Sequence, residues 1–117
     1  ERSMARKITV ELKNSFLTGA DIRNANFKKA NLEGCDLSGA KITKAVFQHA
    51  NLKNSNLQRA DLEHADFSKA NLSQANLTGA KLADANFSNT ILTGADFSGA
   101  DTTDTNFSDA KGYKKQE

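Results

Sequence analysis

The 117-residue sequence contains no proline and no tryptophan, and only one cysteine, one tyrosine and one methionine. A lone cysteine, Cys35, excludes an intramolecular disulfide, so the fold cannot be a disulfide scaffold and suits a reducing compartment. The missing proline leaves every backbone N–H available to a hydrogen-bond ladder. Apolar residues make up only 38% of the chain and the mean hydropathy is −0.61, values that by themselves point toward a marginal core or disorder. No apolar run is long enough to span a membrane, and residues 1–10 lack the apolar region of a signal peptide. These absences argue against a membrane protein and set the expectation of a cytoplasmic one.

Charge is nearly balanced, at a net +2, which is too little to argue for nucleic acid or a lipid surface. Its distribution is uneven. Residues 1–59 hold eleven Lys/Arg against five Asp/Glu, and residues 60–117 hold five against nine. The first half therefore carries +6 and the second −4.

A repeat is present that overrides the lean composition. From Ala20 the chain reads ADIRN, ANFKK, ANLEG, CDLSG, AKITK, AVFQH, ANLKN, SNLQR and onward to TNFSD, with VELKN and SFLTG in the same phase before it. A small residue stands first in each unit and Leu, Ile or Phe third. A five-residue period fits neither regular element. On an α-helix each step of five turns the apolar side chain by roughly 140°. On a continuous strand an odd step sends the apolar residue to the opposite face every time. The pattern works if each unit is a short strand and a corner. Positions one and three then face inward, position two outward, and the Ser, Thr, Asn, Asp and Gly at positions four and five turn the chain.

A second, longer period gives the number of sides. Phe27, Phe47, Phe67, Phe87 and Phe107 recur every twenty residues. So do Gly19, Gly39, Gly79 and Gly99, interrupted by Arg59, and the outward series Asp21, Lys41, Asp61, Lys81 and Asp101. Four units thus make one coil, and about five coils stacked about 4.8 Å apart make a rod about 24 Å tall. Phe97 lies off the phenylalanine column. The spacing predicts one domain over residues 1–117, with a leader or cap at 1–9, repeats at 10–111 and a tail at 112–117.

Tandem A(D/N)LXX units of this kind resemble the pentapeptide-repeat proteins, and the resemblance extends over residues 10–111. It implies an all-β fold, a right-handed quadrilateral parallel β-helix. The handedness is an implication of the resemblance alone.

Candidate sites are few, and each has a structural explanation. Cys35 occupies a small inward position and reads as a buried thiol. His49 and His64 both fall at corners, fifteen residues apart and so in different columns, with no further ligand nearby for a metal. The alternating Asp21, Lys41, Asp61, Lys81 and Asp101 column reads as a register device, and Asn31, Asn51 and Asn71 as a stacked amide ladder. Phe16, Val46 and Ile91 place apolar side chains at outward positions. Phe16 is expected to pack under a cap formed by residues 5–12, with Ile8-Thr9-Val10 covering the first ladder edge. At the other end Thr102 and Gly112 replace the apolar third residue, and the tail around Tyr113 is expected to fray or to mediate self-association.

No catalytic, cofactor-binding or metal-ligating residue is predicted, because a convex rod with a filled interior offers no concave site with convergent polar groups. The expected role is a non-enzymatic, rigid protein–protein interaction or scaffolding module for an unknown protein partner, without cofactor, small-molecule substrate, nucleic acid or membrane. Lys28, Lys29, Lys44, Lys53 and Arg59 make one half basic, yet no aromatic platform accompanies them. The alternative is a DNA-mimicking, topoisomerase (gyrase)-binding protein of the quinolone-resistance type. Such a mimic needs an acidic rod, whereas Asp61, Asp66, Asp84, Asp96, Asp101, Asp104 and Asp109 cover only the second half. The expected assembly is a monomer or a weak C-terminal homodimer.

Overall fold

A computed structural model describes residues 9–115. Isolated parallel bridges link each outward residue to the one twenty positions later, from Glu11↔Asn31 to Ile91↔Lys111. The coil is therefore four-sided. The first face carries the column Glu11, Asn31, Asn51, Asn71, Ile91 and Lys111, and the second Phe16, Asp36, Asn56, Asn76 and Asp96. The third carries Asp21, Lys41, Asp61, Lys81 and Asp101, and the fourth Asn26, Val46, Asp66, Asn86 and Asn106.

The hydrogen bonds explain the residue preference at each position. On the first face Leu32 N–H donates to Asn51 C=O (2.7 Å), Asn51 N–H to Ala30 C=O (2.9 Å), and Asn54 N–H to Ser73 C=O (2.9 Å). A turn bond then runs from the first residue of the next unit to the third of the last, as in Ala45 N–H to Ile42 C=O (3.1 Å). This scheme uses the N–H of every position except the fourth. Where the outward residue two positions earlier is Asn or Asp, it satisfies that donor: Lys53 N–H reaches Asn51 Oδ1 (3.1 Å), Gln58 N–H reaches Asn56 Oδ1 (3.0 Å), and Ser68 N–H reaches Asp66 Oδ1 (2.9 Å). Asn31, Asn51 and Asn71 are thus not a stacked amide ladder. Each spends its carbonyl oxygen on its own corner, a geometry in which Asn and Asp outperform other residues.

Every fifth position from Asn14 to Asp109 has a positive φ, between 54° and 76°. A left-handed residue at the third place of a four-residue turn marks a type II corner. Asn, Gly and Asp are common there, while Lys29, Lys44, His49 and Arg59 adopt it at some conformational cost.

Inside, the columns are buried. Phe47, Phe67 and Phe87 are fully buried, as are Leu32, Leu52, Leu72 and Leu92, and Ile42, Leu62 and Leu82. Phenylalanine rings stack from Phe27 to Phe107 with centroids 5.3, 4.6, 4.9 and 5.6 Å apart. Position one holds small residues because these rings and leucines fill the lumen between them. Ser55 Oγ is a buried exception and lacks a hydrogen-bond partner, whereas Thr90 Oγ1 donates to Phe87 C=O at 2.7 Å. Phe97 belongs to the end of the rod, packing edge-on to Phe87, Phe107 and Tyr113.

Candidate functional site: the outer faces and the C-terminal end

In the middle coils only the outward and corner side chains are accessible to a partner, while in the last coil the inward Ala100, Thr102 and Phe107 are also part-exposed. Phe16 is 87% exposed and does not pack beneath a cap. Residues 1–8, most of the expected leader, lie outside the described residues. Thr9 and Val10 are exposed, and Val10 C=O already accepts Asn31 N–H (2.8 Å), so Val10 is part of the first coil and not a cover over it. Val46 is half-buried and Ile91 is 39% exposed, on different faces.

The alternating Asp/Lys column on the third face is in register, but among the described residues it forms no ion pair. Asp21 instead binds Arg23, whose Nη2 lies 2.6 Å from Asp21 Oδ2. This side-chain hydrogen bond, assisted by the Arg23 backbone N–H and by the charges of Arg23 and Lys41, lowers the Asp21 carboxyl to about 2. The expected register device is therefore a long-range bias between neighbouring coils and not a set of contacts. His64 Nε2 sits 3.7 Å from Asp84 Oδ2 across one coil step, while His49 lies on a different corner. Cys35 is fully buried, and burial, followed by the Asp36 charge, pushes its thiol upward and away from the reactive thiolate. Among the described residues no group of three or more His, Cys, Asp or Glu could hold a metal ion.

Two surface depressions accompany these faces. The larger, about 300 Å³ and open, lies at the corner between the second and third faces, lined by Thr18, Ser38, Gly39, Gln58 and Arg59. It exists because glycine at that corner leaves no side chain beside Arg59. Beside it the Ser38 backbone N–H donates to Asp36 Oδ1 (3.0 Å) and, with the nearby Ser38 and Thr18 hydroxyls, holds the Asp36 carboxyl below its usual range. The smaller, about 80 Å³, lies at the C-terminal end among Phe97, Gly99, Ala100, Thr102, Tyr113 and Lys115. It opens where Thr102 stands in place of the leucine or isoleucine of earlier coils.

The expected frayed tail is ordered as far as its aromatic residue. Tyr113 is half-buried and stacks on Phe107 with centroids 3.7 Å apart and planes inclined by 8°. It also meets Phe97 edge-on at 5.2 Å. Sequence reasoning missed this contact, although the signal was present: Tyr113 stands close behind the place where the next inward residue, Gly112, offers no side chain.

A four-sided solenoid of five-residue sides with a filled lumen is a repeat architecture that presents surfaces and encloses no site. The matching family model is the pentapeptide repeat region, over residues 8–87 and 40–111, and the chain belongs to the pentapeptide-repeat family. Its fold is accordingly the family's right-handed quadrilateral β-helix. A pentapeptide repeat protein of the Arabidopsis thaliana thylakoid lumen is 37% identical, with a TM-score of 0.79 over 83% of this chain and 67% of that one. Rfr23 of the cyanobacterium Cyanothece 51142 is 26% identical, with a TM-score of 0.71 over 86% of both chains. QnrB1, a plasmid-mediated fluoroquinolone resistance protein, is 24% identical with a TM-score of 0.45, over 85% of this chain and 67% of that one. No curated protein matches the sequence.

Proposed function

We propose that this protein is a rigid, non-enzymatic scaffold that binds a protein partner through its flat outer faces. The observation that carries this reading is the filled lumen: with Phe47, Phe67, Phe87 and the leucine columns fully buried, the interior encloses no site and a partner meets the outer faces and the ends of the rod. Catalysis requires convergent groups in a recess, and the surface depressions hold neither a nucleophile–base pair nor a metal set. The chain would work in the cytoplasm, as a monomer or a weak homodimer through its C-terminal end. The DNA-mimic alternative needs acidity along the whole rod, and the +6 of residues 1–59 opposes it.

The test uses the full chain and four variants, each with the fourth-position side chains of one face changed to alanine and the outward Asn and Asp that bond their own corners left in place. Partners cross-linked to the wild type in an extract of the native host should be lost from one variant and kept by the other three, all at unchanged melting temperature. A partner insensitive to every face, or lost only where the variant melts early, would refute the face-binding reading. Inhibition of gyrase supercoiling by the purified chain would favour the DNA mimic instead.

A further inference from the structure

We infer that the C-terminal end of the rod is a docking surface for the first coil of a second copy of this chain, and that residues 112–115 close it by imitating that coil. The inference goes beyond the scaffold role proposed above, making the end contact head-to-tail rather than a symmetric C-terminal pairing, and rests on three observations.

The first is an open ladder edge. The N–H groups of Phe97, Thr102 and Phe107 and the C=O groups of Ala95, Ala100 and Thr105 have no backbone partner among the described residues. One coil lower, their equivalents Leu77, Leu82 and Phe87 donate to Asp96, Asp101 and Asn106. Any further coil in the same register would satisfy the orphaned groups, as strand addition does at a sheet edge.

The second is charge. Residues 91–110, the last coil, contain Asp96, Asp101, Asp104 and Asp109 and no Lys or Arg. Residues 11–30, the first coil, contain Lys13, Arg23, Lys28 and Lys29 against Glu11 and Asp21. Stacking first coil on last therefore joins a +2 ring to a −4 ring, whereas tail-to-tail pairing sets four aspartates against four.

The third is the tail itself. Gly112 has φ 79°, and a Cβ there would lie 2.8 Å from Thr93 Cα, so only glycine lets the chain press against the preceding coil and turn inward. Tyr113 then lies on Phe107 as a sixth ring of the phenylalanine column, where Phe27 of an added coil would sit. Lys111, Lys114 and Lys115 bring positive charge to the acidic end. The tail thus supplies one ring and two cations, with Lys111 just before it a third, the two things a neighbour's first coil would supply, but among the described residues none of its ladder bonds.

The experiment compares the full-length wild type with Tyr113→Ala/Lys114→Glu/Lys115→Glu by multi-angle light scattering over a concentration series. The wild type should stay near 12.6 kDa. The variant should rise about twofold or more and keep growing with concentration, because a head-to-tail contact does not close. Raising the salt to about 1 M, where the Debye length is about 3 Å, should reverse the growth. Adding Asp104→Lys/Asp109→Lys should return the variant to a single chain. Hydrogen exchange on the same samples monitors residues 91–111. A variant that stays monomeric overturns the inference, whether its last coil remains protected or frays open. So does one that stops at a dimer indifferent to the aspartate reversals, or a wild type that already forms growing chains.

Discussion

Replacing Phe67 by alanine should be among the most destabilising single changes available, and the aromatic column gives the reason. Phe67 is fully buried between Phe47 (4.6 Å, 2°) and Phe87 (4.9 Å, 6°). Large-to-small changes at buried phenylalanines cost about 3–5 kcal/mol, and the cost rises where the surroundings cannot collapse. Here they cannot, because the coils above and below are held at ladder spacing by backbone hydrogen bonds on all four faces. Two ring contacts, each contributing about 0.5–1.5 kcal/mol beyond area, are lost together. The upper part of the range is therefore expected, a third or more of the total stability of an ordinary domain. Phe27 provides the internal control. It is half-buried and stacks on one ring only, at 5.3 Å, so Phe27→Ala should cost about half as much. Urea unfolding followed by far-UV circular dichroism measures both. Because each coil touches only its neighbours, a defect in the middle should also broaden the transition as the two halves uncouple. Equal costs for the two variants, or a Phe67→Ala cost below about 1 kcal/mol, would show that the column does not hold the rod together.

Two further outcomes follow from the corners. Asn56→Ala removes the acceptor of Gln58 N–H and should cost about 1 kcal/mol in the same urea assay, whereas Val46→Ala, at an outward position with no such bond, should cost measurably less; equal costs would contradict the corner-bond explanation. The carboxyls of Asp21, Asp36, Asp96 and Asp101 are all lowered in the folded chain, with the Ser98 and Thr103 hydroxyls the leading cause for the last two. A group whose folded pKa is depressed contributes stability above its unfolded value of about 3.9, and that stability is lost as pH falls through the folded value. The urea midpoint should therefore hold down to about pH 4 and drop between about pH 4 and pH 2, and a drop starting above about pH 5 would contradict this assignment.

The interior was legible in the sequence because it repeats. Phe27 through Phe107 announced the twenty-residue coil, and Leu32, Leu52 and Leu72 fall where that spacing put them. Non-local pairing, usually the hardest thing to read from one chain, becomes arithmetic when each residue pairs with the one a fixed distance ahead. The surface was read less well for a related reason. Asn31, Asn51 and Asn71 look like a ladder because they stack, but stacking shows only that each coil has the same need. That need is local, a fourth-position N–H without a ladder partner, and periodicity alone cannot distinguish a residue that bonds its neighbouring coil from one that bonds its own turn. The Asp21–Lys41 column misled in the same way, since Arg23 two residues away outcompetes Lys41 one coil away.

The informative residues of such a chain are therefore those that break the period. An outward Asn or Asp is already explained by its corner, a first-position alanine by the rings around it, and a fifth-position glycine by its φ. Phe16, Val46, Ile91 and Arg59 are explained by none of these, and the last coil with its tail departs most. Thr102 leaves a gap in the core, four aspartates gather without a counter-charge in their own coil, and Gly112 and Tyr113 turn the chain back across the open end. A period can specify every coil that has a neighbour on both sides, but it cannot specify what lies beyond the last one. That task falls to non-repeating residues, and here they supply an aromatic ring and positive charge to an acidic, unpaired edge. A partner's first coil would have to bring the same two things.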